Sequence, residues 1–266
     1  MNEYIDTNRA LWDRWTKLHA ASAFYDVDGF KEGKSTLMAV EREELGDVAG
    51  KTLLHLQCHF GLDTLSWARA GAVVTGVDFS PGAIDRARSL SEELGIPATF
   101  LCANIYDLPE TPDAQFDIVF TSYGVLTWLP DLDRWAQIIA RYLKPGGTFY
   151  IVEFHPFISM LDDDGERIAY PYFRTDAPLQ FEAEGSYAAP DDEGKHTSYE
   201  WPHSLGEIVT ALLTAGLRIE YLHEFPFSPY HFPTYLDEDE PGRYVWKDRS
   251  VTAPLLFSIK AAKEGG

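Results

Sequence analysis

Cysteine is nearly absent: Cys58 and Cys102 are the only two in a chain of 266 residues. Two thiols make neither a disulfide framework nor a thiolate metal centre, so both are expected to pack as small hydrophobes at strand ends. Long apolar runs are missing as well, none reaching the roughly 18 residues a membrane helix needs. The opening stretch MNEYIDTNRA has none of the basic-then-apolar order of a secretory leader, so a cytoplasmic protein with no membrane partner is expected. Clustered cations are the third absence. Lys and Arg number 22 against 42 Asp and Glu, a net charge of −20, and so acidic a surface repels phosphate backbones, which excludes nucleic acid as an expected partner. What remains is a globular composition, 45% hydrophobic and 24% charged, long enough to bury one large α/β core with an elaboration.

The chain is organised around Leu53 to Ser80, LLHLQCHFGLDTLSWARAGAVVTGVDFS. Leu53, Leu54 and Leu56 form a short apolar run suited to a buried parallel strand. Gly61 then permits a turn, and Leu62 to Ala70 takes helical spacing. Gly71 stops that helix, and the β-branched AVVTGV predicts a second buried strand closed by Asp78. Strand, glycine turn, helix, strand and terminal acid is an arrangement that grips a ribose-bearing cofactor, the carboxylate accepting from ribose hydroxyls. The G-x-G-x-x-G fingerprint is missing: Gln57 and His59 leave a dinucleotide pyrophosphate little bare backbone, which argues against NAD.

Alternation of strand and helix continues downstream. Ser80 is an N-cap with Pro81 at the first helical position, and the helix runs to about Leu94 before Gly95 and Pro97. Ala98 to Ala103 predicts the third strand, with Asn104 and Ile105 at its end. Phe116 to Thr121 predicts the fourth, leading through Tyr123 to Trp128 at the carboxyl edge of the sheet, where ligands of open parallel sheets sit. An amphipathic helix ends at Lys144-Pro145-Gly146-Gly147, and Thr148 to Phe154 makes the fifth strand. Glu153 and Asp117 read as strand-end caps, while His155, at the mouth of the sheet with a pKa near neutrality, reads equally as a substrate-side base or as structure.

The ends of the chain are less regular. Asn8 to Ala20 predicts a helix with Leu11, Trp15 and Leu18 on one face and Trp12 and His19 beside them, either packed on the core or lying as a lid. A loop holding Phe24 and Tyr25 follows, then a helix over Ser35 to Leu45. Between Phe157 and His203 the alternation gives way to aromatic, Gly-containing stretches that predict inserted antiparallel strands. Asp162-Asp163-Asp164-Gly165 lacks the spaced ligands of a calcium loop, so no metal is expected. Ser204 and Glu207 form a capping box for a helix burying Leu205, Ile208, Val209, Leu212 and Leu213. Leu217 to Phe225 and Pro254 to Ala262 then predict two antiparallel strands, separated by an aromatic segment whose Tyr230, His231, Tyr235, Tyr244 and Trp246 either line a pocket or cover the sheet edge.

The segments LLHLQCHFGLDT and FDIVFTSYGVLTWLPDLDRWAQIIARYLKPGGTFYIVE resemble the cofactor-binding motifs of class I S-adenosylmethionine-dependent methyltransferases. On that family's first motif, an acid followed by three alternating glycines, His55 falls at the acid, Gln57 and His59 at the first two glycines, and Gly61 at the third. The resemblance implies a Rossmann-like α/β fold: a seven-stranded, mostly parallel sheet with helices on both faces. It further implies one domain spanning 1–266, with a helical cap over 1–48, a cofactor core over 50–155, a β insertion over 156–203 and a closing helix and strands over 204–262. It implies S-adenosyl-L-methionine held by Gln57, Cys58, His59, Gly61, Asp78, Phe79, Asn104, Ile105 and Tyr123. Trp12, Tyr25, Trp128, His155 and Tyr230 would meet a small-molecule acceptor, with His155 and Tyr123 closest to the chemistry. A non-catalytic binder of the cofactor or its demethylated product, and a NAD(P)-dependent oxidoreductase, are the alternative readings.

Overall fold

The computed structural model describes residues 2–109, 114–232 and 234–265. In chain order these form α1 (Asn2–Ala20), α2 (Val27–Lys31), α3 (Ala39–Leu45), β1 (Thr52–Leu56), α4 (Leu62–Arg69), β2 (Val73–Asp78), α5 (Pro81–Leu94), β3 (Thr99–Cys102), β4 (Phe116–Ser122), α6 (Leu132–Tyr142) and β5 (Leu143–Phe154). Then follow β6 (Leu179–Glu184), β7 (Lys195–Glu200), α7 (Leu205–Thr214), β8 (Leu217–Phe225), β9 (Leu236–Glu240), β10 (Arg243–Trp246) and β11 (Leu256–Lys263). Seven strands form one sheet in the order β3-β2-β1-β4-β5-β11-β8. The first five run parallel, and β11 lies antiparallel between β5 and β8.

Strand alternation divides the core between the two faces. Leu54, Val119, Phe149 and Ile151 point toward α6 and α7, whereas Leu53, Phe120, Tyr150 and Val152 point toward α3 and Trp67 of α4, as the period of two requires. Trp135, Ile138 and Ile139 of α6 are fully enclosed, each side chain contributing about 1.5–3 kcal/mol by leaving water. Both N-caps form, Ser80 Oγ accepting from Ala83 N–H at 3.1 Å and Ser204 Oγ from Glu207 N–H at 3.1 Å, but the Glu207 carboxylate faces His203 and Arg174, so the capping box expected there is only half made.

Several local expectations are corrected. α1 begins at Asn2, not Asn8, because its first turns pack against the insertion, where Asn8 Nδ2 donates to Tyr199 O and its Oδ1 accepts from Tyr199 N–H. The loop after it contains the short α2, capped by Asp26, and α3 starts at Ala39 rather than Ser35. Cys58 is buried, but Cys102 is exposed because β3 is the edge strand. Val73 of β2 and Leu213 of α7 are likewise exposed rather than core. β5 starts at Leu143, not Thr148: Leu143 pairs with Phe116 and Thr148 with Ile118, so Lys144 to Gly147 is a bulge within the strand. The insertion holds the hairpin of β6 and β7. The aromatic segment forms an unforeseen hairpin of β9 and β10, and Tyr235 and Trp246 join Ile158, Leu236 and Leu255 in a satellite core that covers the sheet. Among the described residues no helix is long and apolar enough to cross a membrane, and no group of three or more His, Cys, Asp or Glu is placed to hold a metal.

Candidate active site

A cavity of about 350 Å3 opens over the carboxyl ends of β1, β2 and β4, the edge at which an open parallel sheet presents its loops. Its floor is the turn after β1. Gln57, His59 and Gly61 all adopt left-handed backbone, with φ of 57°, 49° and 82°, so the three alternating positions keep a glycine-type conformation although two carry side chains. Each such non-glycine residue costs on the order of 1–2 kcal/mol. The surroundings hold them there: Cys58 N–H donates to Val77 O at 2.9 Å, Gly61 N–H to Cys58 O at 3.0 Å, and His59 N–H to Asp78 Oδ2 at 2.9 Å. Gly61 is required twice over, since a Cβ there would sit 2.8 Å from the Phe100 ring and 2.9 Å from Ala87 Cβ.

Asp78 ends β2 with one carboxylate oxygen on His59 N–H and the other on Ser80 N–H at 2.9 Å. Burial pushes its pKa up to about 6, against the pull of those backbone donors. Phe79 lies beside it on the cavity wall. Asn104 accepts from Tyr106 N–H at 3.0 Å, the turn-forming role its type suggests, and with Ile105 it also lines the cavity. Tyr123 has a left-handed φ of 27° and donates its hydroxyl to Glu41 Oε2 at 2.9 Å. Gly124, Val125 and Leu126, the loop after it, are held by Glu153, whose carboxylate accepts all three backbone N–H groups and that of Phe154. The strand-end cap expected of Glu153 is therefore met.

The roof comes from α1, the loop after it, the insertion and the aromatic segment after β8. Trp12 of α1 lines the cavity and meets the His59 and Trp128 rings edge-on at 5.1 and 5.3 Å. His19 Nδ1 contacts His59 Nε2 at 3.1 Å, and its Nε2 contacts Ser186 Oγ at 3.1 Å, tying helix, floor and insertion together. Burial holds His19 down to about 4, so these imidazoles pair as neutral rings. Tyr25, Trp128 and Tyr230 also line the cavity, Tyr25 bonded to Tyr187 of the insertion and Tyr230 5.2 Å from the Tyr123 ring. At the outer corner, Asp13 Oδ1 accepts from Gly82 N–H and Ser80 Oγ, fastening α1 to the start of α5.

Every cofactor-side residue expected from the sequence thus borders one cavity, as do four of the five substrate-side residues. His155 does not. It is buried beside Phe257, its Nδ1 accepts from Phe157 N–H at 3.1 Å, and its Nε2 lies 2.9 Å from Glu224 of β8. Burial lowers its pKa while Glu224 opposes that shift. The structural of its two readings is the one its position supports. Sequence reasoning passed over Asp63, Glu41, Phe60 and Tyr187. Asp63 sits in the first turn of α4, where an acid is ordinary for a helix start, so nothing marked it as a cavity residue.

Sheet order, the turn after β1 and the acid ending β2 define a class I methyltransferase fold. Residues 54–151 match the family described as a methyltransferase domain. Among curated proteins the chain is similar to the ubiquinone biosynthesis O-methyltransferase of Xanthomonas euvesicatoria pv. vesicatoria, 31% identical over 150 residues, 55% of this chain and 59% of that one. The chain therefore spans less than two thirds of the length of the curated relatives it matches. Among solved structures it resembles an S-adenosylmethionine dependent methyltransferase from Mesorhizobium loti, 19% identical with a TM-score of 0.57 over 87% of this chain and 99% of that one. The DhpI–SAH complex aligns with 99% of this chain and 98% of its own at 17% identity and a TM-score of 0.57.

Proposed function

We propose that this chain is one methyltransferase domain that transfers a methyl group from S-adenosyl-L-methionine to a small-molecule acceptor. The observation that carries the reading is the left-handed backbone kept at Gln57, His59 and Gly61 beside the Asp78 carboxylate, in one cavity with Asn104, Ile105 and Tyr123. The fit is favourable in kind. The Asp78 carboxylate accepts from the His59 and Ser80 backbone N–H groups and keeps acceptor capacity for ribose hydroxyls. Ile105 and Phe79 offer apolar faces for adenine. The cofactor supplies an electrophilic methyl on a sulfonium sulfur.

In such a reaction the acceptor's lone pair forms the new bond to the methyl carbon as the carbon–sulfur bond breaks, and the acceptor's proton leaves to solvent or a nearby base. The chain contributes alignment and exclusion of water. Trp12, Trp128 and the roof tyrosines close the cavity over the reacting atoms, and aromatic faces favour the positive sulfonium. Tyr123, fixed by Glu41 and its own strained backbone, borders the methyl path. The name of the curated relatives specifies transfer to oxygen, which we extend to this chain as the first acceptor class to assay. Side chains at Gln57 and His59 fill the space a dinucleotide pyrophosphate needs, which disfavours the nicotinamide reading.

Calorimetric titration with S-adenosylmethionine, S-adenosylhomocysteine and NAD, followed by a labelled-methyl screen of small phenols, tests this proposal. Binding of both adenosyl ligands with turnover is expected. Binding without turnover on any acceptor would favour the non-catalytic reading, and a folded sample that bound neither would overturn the assignment.

A further inference from the structure

We propose that a second cavity, at the opposite edge of the sheet from the first, binds a small dianion: a phosphate monoester or a dicarboxylate. This cavity, of about 260 Å3, is bordered by Leu45, Lys51, Asp117, Lys144, Thr148 and Lys260. It lies at the amino ends of β1, β4 and β5, whereas the first cavity lies at the carboxyl ends of β1, β2 and β4. The chain as a whole carries a net charge of −20. Here three of the four ionisable side chains are lysines, gathered by the fold from distant parts of the sequence.

One of these lysines is already matched. Lys144 Nζ donates to both Asp117 oxygens at 2.9 Å and to Thr52 Oγ1 at 3.2 Å. Asp117 Oδ2 accepts in addition from Thr52 N–H at 2.8 Å and Thr52 Oγ1 at 2.7 Å. Hydrogen bonds from Thr52 and Lys144 hold Asp117 down to about 2, so it stays ionised and its charge answers that of Lys144. The other two ammonium groups have no such counterion. Lys51 Nζ has no partner among the described residues, and Lys260 Nζ stands 3.8 Å from Glu220 Oε2 and 6.0 Å from the Tyr221 ring. Glu220 itself is taken by Arg218 at 3.0 Å. Thr148 Oγ1, on the same cavity, is also without a partner among the described residues.

Strand register turns the free donors to one side of the sheet. Thr148 pairs with Ile118 across β4 and β5, and Lys260 pairs with Tyr150 across β5 and β11. Ile118, Tyr150 and Leu53 belong to the face that α3 covers. Paired residues share a face and the period along a strand is two, so Thr148 and Lys260 lie on that face, and Lys51, two residues before Leu53, enters it from the start of β1. Leu45 at the end of α3 closes the other wall. Two ammonium groups and a hydroxyl supply donors and two positive charges, and their complement is a ligand with acceptor oxygens and two negative charges. A single carboxylate would leave one ammonium unmatched. Nothing in this inference depends on methyl transfer.

The test is ligand-observed NMR titration of the full chain with methyl phosphate, succinate and acetate at constant ionic strength and about pH 8, where the phosphate monoester is a dianion. Each titration is run with and without S-adenosylhomocysteine. At least one dianion is expected to bind about tenfold or more tightly than acetate. A preference for methyl phosphate identifies a phosphate-monoester site, a preference for succinate a dicarboxylate site, and equal binding a site that reads charge alone. Lys51→Gln and Lys260→Gln should each weaken the dianion by about 5- to 20-fold, the worth of a charge-assisted contact that is partly exposed. Lys260→Arg should retain it, and Lys17→Gln, on α1 and outside the cavity, should leave it unchanged. The proposal is overturned if neither dianion binds better than acetate, if S-adenosylhomocysteine displaces the dianion, or if binding survives in a folded chain carrying Lys51→Gln and Lys260→Gln together. Should that double variant not fold, undiminished binding in both single variants overturns it equally. The titration on the free chain decides this site whether or not S-adenosylhomocysteine binds the other.

Discussion

A buried acid with no ion-pair partner among the described residues should weaken the ligand-free fold, and Asp63→Asn measures by how much. Burial raises the Asp63 pKa from 3.8 to about 6, against the hydrogen bonds from Thr36 and Ser122 that favour its charged form. Below about pH 4 the carboxyl is protonated in both folded and unfolded chains. As pH rises from 4 to 6 the unfolded chain ionises first, so the folded state loses stability until its own carboxyl ionises. Each pH unit in that window is worth about 1.4 kcal/mol, giving a cost of about 3 kcal/mol at pH 8. Asparagine keeps an acceptor for Thr36 and offers Ser122 an amide, so it removes the charge with little loss of contact. Asp63→Asn is therefore expected to stabilise the ligand-free protein at pH 8 by about 1–3 kcal/mol, a rise of about 2–10 °C in Tm for a chain of this size. At pH 4 wild type and variant should melt together. Thermal denaturation followed by circular dichroism across pH 4–8 decides it. A variant no more stable at pH 8, or one equally stabilised at pH 4, would refute the account of Asp63 as an uncompensated buried charge.

Three further perturbations separate cofactor contacts from scaffolding. Asp78→Ala should weaken S-adenosylhomocysteine about 100-fold by removing charge-assisted bonds to the ribose, while the protein stays folded; unchanged affinity by calorimetry would take the ribose role from Asp78. Glu153→Ala strips the acceptor from four backbone N–H groups around Gly124 to Leu126, and should cost about 3 kcal/mol or more, visible as a Tm lower by about 6 °C or more. A melting point within a degree of wild type would show that the loop finds other partners. His155→Gln lies off the cavity, so S-adenosylhomocysteine affinity should stay within about twofold of wild type although stability falls; a large loss of affinity would return His155 to the site.

The central βα units were legible because their signals are local. Apolar runs at Leu53 to Leu56 and in AVVTGV, the caps Ser80 and Ser204 and the stops Gly71 and Gly95 act within a few residues of themselves, and a buried parallel strand needs little else to declare it. The cofactor edge followed from topology, since residues ending parallel strands must gather at one rim. Less legible were the roof and the electrostatics. No spacing rule places His19 against His59 and Ser186, residues 40 and 167 positions away, or joins Tyr25 to Tyr187. The β9–β10 hairpin was masked because its acids and aromatics alternate as well in a loop as in an edge strand.

Histidine at the acid position and side chains at two glycine positions could equally have signalled an altered turn. Tertiary structure decided otherwise: Asp78 and the strand ends fix the turn from both sides, so Gln57 and His59 hold a conformation their own preferences oppose. The sequence by itself determined the order of strands and helices, the capping residues and the rim on which a ligand would lie, because those depend on period and on near neighbours. Only the folded chain decided that His155 turns from the cavity to Glu224, that Asp63 and Glu41 are buried close enough to repel each other with no ion-pair partner among the described residues, and that α1 meets the insertion at His19 and Ser186. Burial and charge pairing are properties of what packs against a residue from distant parts of the chain, and no local pattern encodes them.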